Sequence, residues 1–158
     1  MTKSFKNSPS SRLKHPLSNW LPFASMLLIF LLFSCNKKMA AEKMPTTRME
    51  FGHGGGFTGA VTTYVLLDNG RIYEALSDEK NYKRLRKIPK DETATLYAEC
   101  EKLQTLKTDS PGNMYYFVTM KKGEEIPRRW IFGDPAIAPP AELEALYKRL
   151  VGLVPSKK

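Results

Sequence analysis

The sequence predicts an α+β fold: one antiparallel sheet of about five strands, in the order β-β-β-α-β-β-α, with two helices packed on one face. Three observations lead there. Asp68-Asn69-Gly70 separates two runs rich in β-branched and aromatic residues, "AVTTYVLL" (60–67) and "RIYEAL" (71–76), which is a hairpin signature. A second pair, "MYYFVTMKK" (114–122) and "IPRRWIFG" (126–133), is joined by a turn at Gly123 and Glu124. After each strand group comes a segment with apolar residues at helical spacing.

Taken in chain order, "RMEF" (48–51) reads as a short strand that enters a glycine-rich corner. The two strands of the Asp68–Gly70 hairpin follow. "YKRLRKI" (82–88) is ambiguous and fits a basic edge strand closed by Pro89, because lysines on an edge discourage unwanted pairing. Asp91 is a plausible N-cap for a helix from Glu92 to about Leu106, with Leu96, Cys100 and Leu103 as its apolar stripe and Tyr97 beside it. "SPGN" (110–113) is a turn. In the closing helix Pro140 sits near the first turn, and Leu143, Leu146, Tyr147 and Leu150 face inward. The folded domain is expected over 47–154, with 155–158 as a disordered tail.

The amino-terminal part has a different character. A basic region up to Trp20 precedes "LPFASMLLIFLLF", 13 mostly apolar residues from Leu21 to Phe33. That run is short for a membrane-spanning helix, which needs about 20 residues. It has the length of a signal-peptide hydrophobic region, with small Ser34 just before Cys35. The stretch "LFSC" (32–35) resembles a bacterial lipobox, which implies cleavage before Cys35 and acylation of that residue. Residues 1–34 are then a lipoprotein signal peptide, and 35–46 a lipidated cysteine with a flexible tether. Two or three acyl chains give stable anchoring to a bilayer.

Charge and cysteine content agree with export. The chain carries 25 basic and 16 acidic residues; the first 34 hold four of the basic ones and no acid, leaving the remainder mildly basic. Six basic residues lie between Lys80 and Lys90. In an exported protein this run reads as a solvated edge or a contact for anionic lipid, not as a nucleic-acid site. Cys35 and Cys100 are the only cysteines, so acylation of the first leaves no disulfide, and the spacing of Cys100 suits a buried small hydrophobe.

"FGHGGGFTG" (51–59) is the one stretch that invites a chemical reading. A phosphate loop requires glycines that open a helix, whereas a strand-like segment follows here. His53-Gly54-Gly55-Gly56 matches the oxyanion motif of one esterase group, but no GxSxG elbow exists, and His53 is the only histidine outside the leader. One histidine and scattered carboxylates give no metal-ligand spacing. The expectation is therefore no catalytic residue, no metal, no cofactor and no nucleic-acid partner. The glycines make an irregular corner, in which Phe57 either plugs the core or projects as an apolar anchor. His53, Gly54, Gly55, Gly56 and Phe57 are the candidate partner-binding residues.

The pattern "GGGFTGAVTTYVLLDNGRIY", "PGNMYYFVTMKKG" and "WIFGDP" with a closing amphipathic helix resembles small lipoproteins of Bacteroidota whose role is unassigned. More distantly it is similar to emfourin, an inhibitor of protealysin and related thermolysin-like metalloproteases, at Gly55, Gly56, Phe57, Gly59, Tyr116 and Asp134. The first resemblance implies a cell-envelope lipoprotein. The second implies a non-catalytic surface that binds a protease. The first resemblance also implies that surface export goes with acidic residues near the cysteine; "CNKK" lacks one and the first acid is Glu42, so it implies the periplasmic face of the outer membrane over the cell surface. The reading is thus a lipid-anchored binding module, with a protease inhibitor as the alternative. Its partners are the bilayer through Cys35 and an envelope protein or protease, and its domain is monomeric.

Overall fold

The computed structural model describes residues 38–77 and 80–156. The described residues form one compact unit. Its centre is a seven-stranded sheet in the order β1-β5-β4-β3-β2-β6-β7, antiparallel at every pairing. The strands are β1 (Lys38–Ala40), β2 (Arg48–Gly55), β3 (Val61–Leu67), β4 (Arg71–Ala75), β5 (Asn81–Lys87), β6 (Met114–Lys121) and β7 (Arg128–Phe132). Helices α1 (Lys90–Lys102) and α2 (Ala141–Gly152) follow β5 and β7.

The sheet is larger than the five strands expected, for two separate reasons. The run 82–88 is a strand, although not wholly an edge, since β1 pairs with its first half through Lys38↔Lys83, Met39↔Tyr82 and Ala40↔Asn81. β1 itself comes from the segment read as a flexible tether over 35–46. Lys38–Ala40 form the strand, Ala41–Lys43 form a 3-10 turn, and Met44 is buried. Lysine and alanine carry little strand propensity, so this order comes from tertiary contact. Ala41 donates its N–H to Lys80 O at 2.8 Å, and Met39 and Met44 pack on Val65, Leu67, Tyr73 and Tyr82.

The main core lies on the opposite, helix-covered face. Met49 and Phe51 of β2, Tyr64 and Leu66 of β3, Ile72 of β4, Val118 and Met120 of β6, and Trp130 and Phe132 of β7 face it. The helices contribute Leu96, Cys100 and Leu103, then Leu143, Leu146, Tyr147 and Leu150. Every inward position expected of the two helices is buried. Two polar groups bordering the core are hydrogen-bonded: Tyr97 OH donates to Leu66 O at 2.8 Å and Trp130 Nε1–H to Leu106 O at 3.0 Å. Burial, aided by Asp68, raises the Tyr97 phenol above its ordinary range.

One helix boundary differs from the expectation. Asp91 is not the N-cap of α1, because Pro89 occupies that position and the helix starts one residue before Asp91. Thr93 takes over the local bonding, its N–H and hydroxyl both donating to Pro89 O at 3.1 and 2.8 Å. Asp91 and Glu92 lie in the first turn, where negative charge favours the helix dipole. The helix also ends earlier, at Lys102, and Leu103–Thr105 continue as a 3-10 turn.

Candidate functional site: the glycine tip

β2 does not stop at Phe51. It continues through the glycines to Gly55, with β3 on one side and β6 on the other. His53 therefore sits inside the sheet, opposite Thr62 and Tyr116, half-buried and on the helix-covered face by alternation with Met49 and Phe51. Gly54 is buried in the strand as well, because the Tyr115 ring of β6 lies across it. A Cβ there would stand 2.6 Å from the Tyr115 hydroxyl oxygen. At Gly55 the backbone turns to φ +96°, and a Cβ would lie 2.1 Å from Asn113 O. The five candidate residues thus divide: His53, Gly54 and Gly55 build the strand end, and only Gly56 and Phe57 belong to the loop.

That loop is short and pinned. Gly56 N–H donates to Asn113 O at 2.7 Å, tying it to the segment before β6. Gly59 N–H donates to Gly56 O at 3.2 Å, which closes a four-residue turn with Phe57 and Thr58 at its apex. The Phe57 side chain is fully exposed, at 107 % of its reference area. Of the two roles open to it, core plug or projecting group, the structure has the second. Val61 and Met114, 50 % and 43 % exposed, flank the strand end opposite Gly54 and Gly55. The tip is an apolar prominence on a backbone with little freedom.

Beneath it, at the other end of β2 on the helix-free face, lies an ionic cluster. Arg48 Nε and Lys121 Nζ donate to Glu50 Oε1 at 2.7 and 2.8 Å, and Arg48 Nη1 also donates to Pro45 O at 2.8 Å. Burial alone would raise the Glu50 carboxyl, but the two cations outweigh it and hold its pKa below the usual range. Arg129 lies over the Phe117 ring at 4.9 Å, while Trp130 is core.

Among the described residues no three His, Cys, Asp or Glu side chains come together to hold a metal. Cys100 is fully buried, and burial, with Glu101 nearby, pushes its thiol up to about 12, so it remains protonated. Tyr116 packs with Phe132 and Tyr147 at ring distances of 5.5 and 5.3 Å. Asp134 Oδ1 accepts the Ala136 N–H at 2.8 Å. Tyr116 therefore serves the packing beside His53, and Asp134 the loop after β7. Cys35 lies outside the described residues. Among those described, no helix is long and apolar enough to cross a membrane. No protein-family model matches the chain, and a search of curated proteins gives no match.

Proposed function

We propose that the protein is a cell-envelope lipoprotein, anchored through Cys35 on the periplasmic face of the outer membrane, whose domain is a non-catalytic binding module. Phe57 is the contact residue. The observation that carries this reading is a phenylalanine held wholly in water on a turn tied down by backbone bonds. Leaving such a ring exposed forgoes about 1.5–3 kcal/mol of burial, and the turn itself makes no use of the ring. Loops on rigid scaffolds commonly carry recognition, and a pinned turn loses little entropy on binding.

The test is a photo-crosslinking amino acid placed at position 57 of the full chain in cells. The control is the same group at Ile126, which is 89 % exposed in the β6–β7 connection. A discrete adduct from position 57 and none from 126 supports the reading. Equal adducts from both, or none from 57, sinks it. Lipidation is read separately, as metabolic incorporation of palmitate that is lost in Cys35→Ala.

The same exposed ring supports the second reading, inhibition of a thermolysin-like metalloprotease, because an aromatic on a firm turn can fill an apolar cleft without rearranging. Titration of a purified thermolysin-like protease decides it. Near-stoichiometric inhibition that Phe57→Ala abolishes supports it, and undiminished proteolysis at excess protein rejects it.

A further inference from the structure

We infer that the basic edge built by β1, β4 and β5 lies against the anionic phospholipid headgroups of the bilayer that holds the Cys35 anchor. This rests on the reading of Cys35 as an acylated residue, and adds to it a second, electrostatic contact made by the folded domain.

The first argument is reach. With Lys38 already in the sheet, three Cα–Cα steps separate it from Cys35, at most about 11 Å of chain. That is close to one Debye length, about 8–10 Å at physiological salt. A twelve-residue tether would have let the domain stand clear of the headgroup field. One that ends at Lys38 holds this side of the domain inside it.

The second argument is charge. β1, β4 and β5 carry Lys38, Arg71, Lys83, Arg84, Arg86 and Lys87, against Glu74 as the one acid in those strands. Lys38 pairs directly with Lys83, which faces Glu74 on its other side, and Arg71 pairs with Lys87 with no acid opposite either. Like charges directly opposite each other destabilise a sheet. None of Lys38, Arg71, Lys83, Arg84 and Lys87 joins an ion pair among the described residues. The helices, by contrast, mix signs and pair them, as in Arg149–Glu99 and Lys148–Glu144. Protection of a free edge explains part of this, since β1 covers only Asn81–Lys83 and leaves Arg84–Lys87 open. Such protection does not account for Lys38 and Arg71, which lie outside that open stretch. Two like-charge cross-strand pairs and a large excess of cations are unfavourable in isolation, and an anionic surface relieves them.

The direction of β1 fits the same placement. Ala40 pairs with Asn81 at the β4–β5 connection, Glu74 pairs with Tyr64 near the start of β3, and β3 begins at the glycine tip. β1 therefore runs toward the tip, with Lys38 at its end farther from Phe57.

The test uses the soluble domain 36–158, which contains both apolar clusters whole, in sedimentation with vesicles of phosphatidylcholine with and without phosphatidylglycerol. The domain is expected to partition onto the anionic vesicles only, and to be released as salt rises. Arg84→Ser/Lys87→Ser should lower partitioning about fivefold per charge removed. Lys38→Ser/Arg71→Ser, which removes charge from the neighbouring strands, should do the same, so the result does not depend on one variant folding. Lys102→Ser/Lys107→Ser, of equal net charge and away from the edge, should bind as wild type. Equal losses in all three variants, or no preference for phosphatidylglycerol, overturns the inference. The mass of the mature amino terminus reports Cys35 independently. An unacylated Cys35 with vesicle discrimination intact removes only the anchor reading, and an acylated Cys35 with no discrimination removes only this one.

Discussion

β3 is entered and left through glycine-bearing connections, and the two could hardly differ more. At Asp68-Asn69-Gly70 the backbone of Gly70 and the side chain of Asn69 both serve the reversal. Gly70 N–H donates to Leu67 O at 2.9 Å, Arg71 N–H to Asn69 Oδ1 at 3.1 Å, and Gly70 O accepts the Ile88 N–H at 2.9 Å. At 56–60 the backbone is pinned as well, but a phenylalanine is left over that neither the reversal nor the core requires. The first connection is explained completely by chain reversal. The second is not, and the unexplained part is a single side chain.

The largest expected effect comes from treating the two connections alike. Gly55 and Gly70 both have positive φ, +96° and +80°, and both face a backbone carbonyl that a Cβ would strike, Asn113 O at 2.1 Å and Ile88 O at 2.5 Å. Gly55→Val and Gly70→Val should each cost about 2–4 kcal/mol, from positive-φ strain and displaced backbone. Denaturant melts of the two variants measure this. A tolerated Gly55→Val would show that the tip backbone is loose, and the contrast drawn above would then be one of order.

Next comes the cluster at the base of β2. Glu50→Gln should destabilise by about 1–3 kcal/mol, since a charged acceptor is lost from two cations. The pH dependence has a definite sign. The folded carboxyl has the lower pKa, so its contribution is complete above the unfolded value and is lost as pH falls through the folded one. Wild type should therefore lose stability on acidification, whereas Glu50→Gln should lose less over the same window. Parallel pH profiles would show that Arg48 and Lys121 do not set this carboxyl's state.

These comparisons also show why the sequence revealed some of this and hid the rest. The Asp68–Gly70 hairpin, the inward stripe of α2 and the buried Cys100 follow local rules, and local rules are written locally. β1 follows none. Its trace lies elsewhere, in "YVLL" (64–67), where apolar residues run without alternation. Such a run means both faces of the strand are covered; Tyr64 and Leu66 face the helices, and Val65 and Leu67 face Met44. A cover for the second face was therefore implied by β3, although nothing in "KMA" announces it. The tip was hidden differently. Glycine signals backbone freedom equally for a strand end and a loop, so the sequence placed His53, Gly54 and Gly55 in a corner when Tyr115 and Asn113 are what require glycine there. The exposure of Phe57 is a tertiary outcome that no spacing encodes.

A smaller effect is expected at the basic edge, with the opposite sign from most substitutions. Lys87→Ser relieves the Arg71↔Lys87 opposition and should raise stability by about 0.2–1 kcal/mol, more at low salt than at high. Thermal melts at two ionic strengths read it. A loss of stability that salt does not change would mean that the lysine stem packs on the sheet and that its charge is incidental.

The smallest expected change in stability is the one that decides the comparison. Phe57 touches no core residue cluster and its turn is closed by backbone bonds from Gly56 and Gly59. Phe57→Ala should then shift stability by no more than about 0.5 kcal/mol, as for an ordinary exposed site. Its effect should appear in association alone, as loss of the adduct or of protease inhibition. A melt lowered by several times that amount would mean the ring packs against the domain in solution, and the tip would join Asp68–Gly70 as a purely structural turn. An unchanged melt with lost association separates what the chain needs to fold from what it presents to a partner, and assigns the second to one residue.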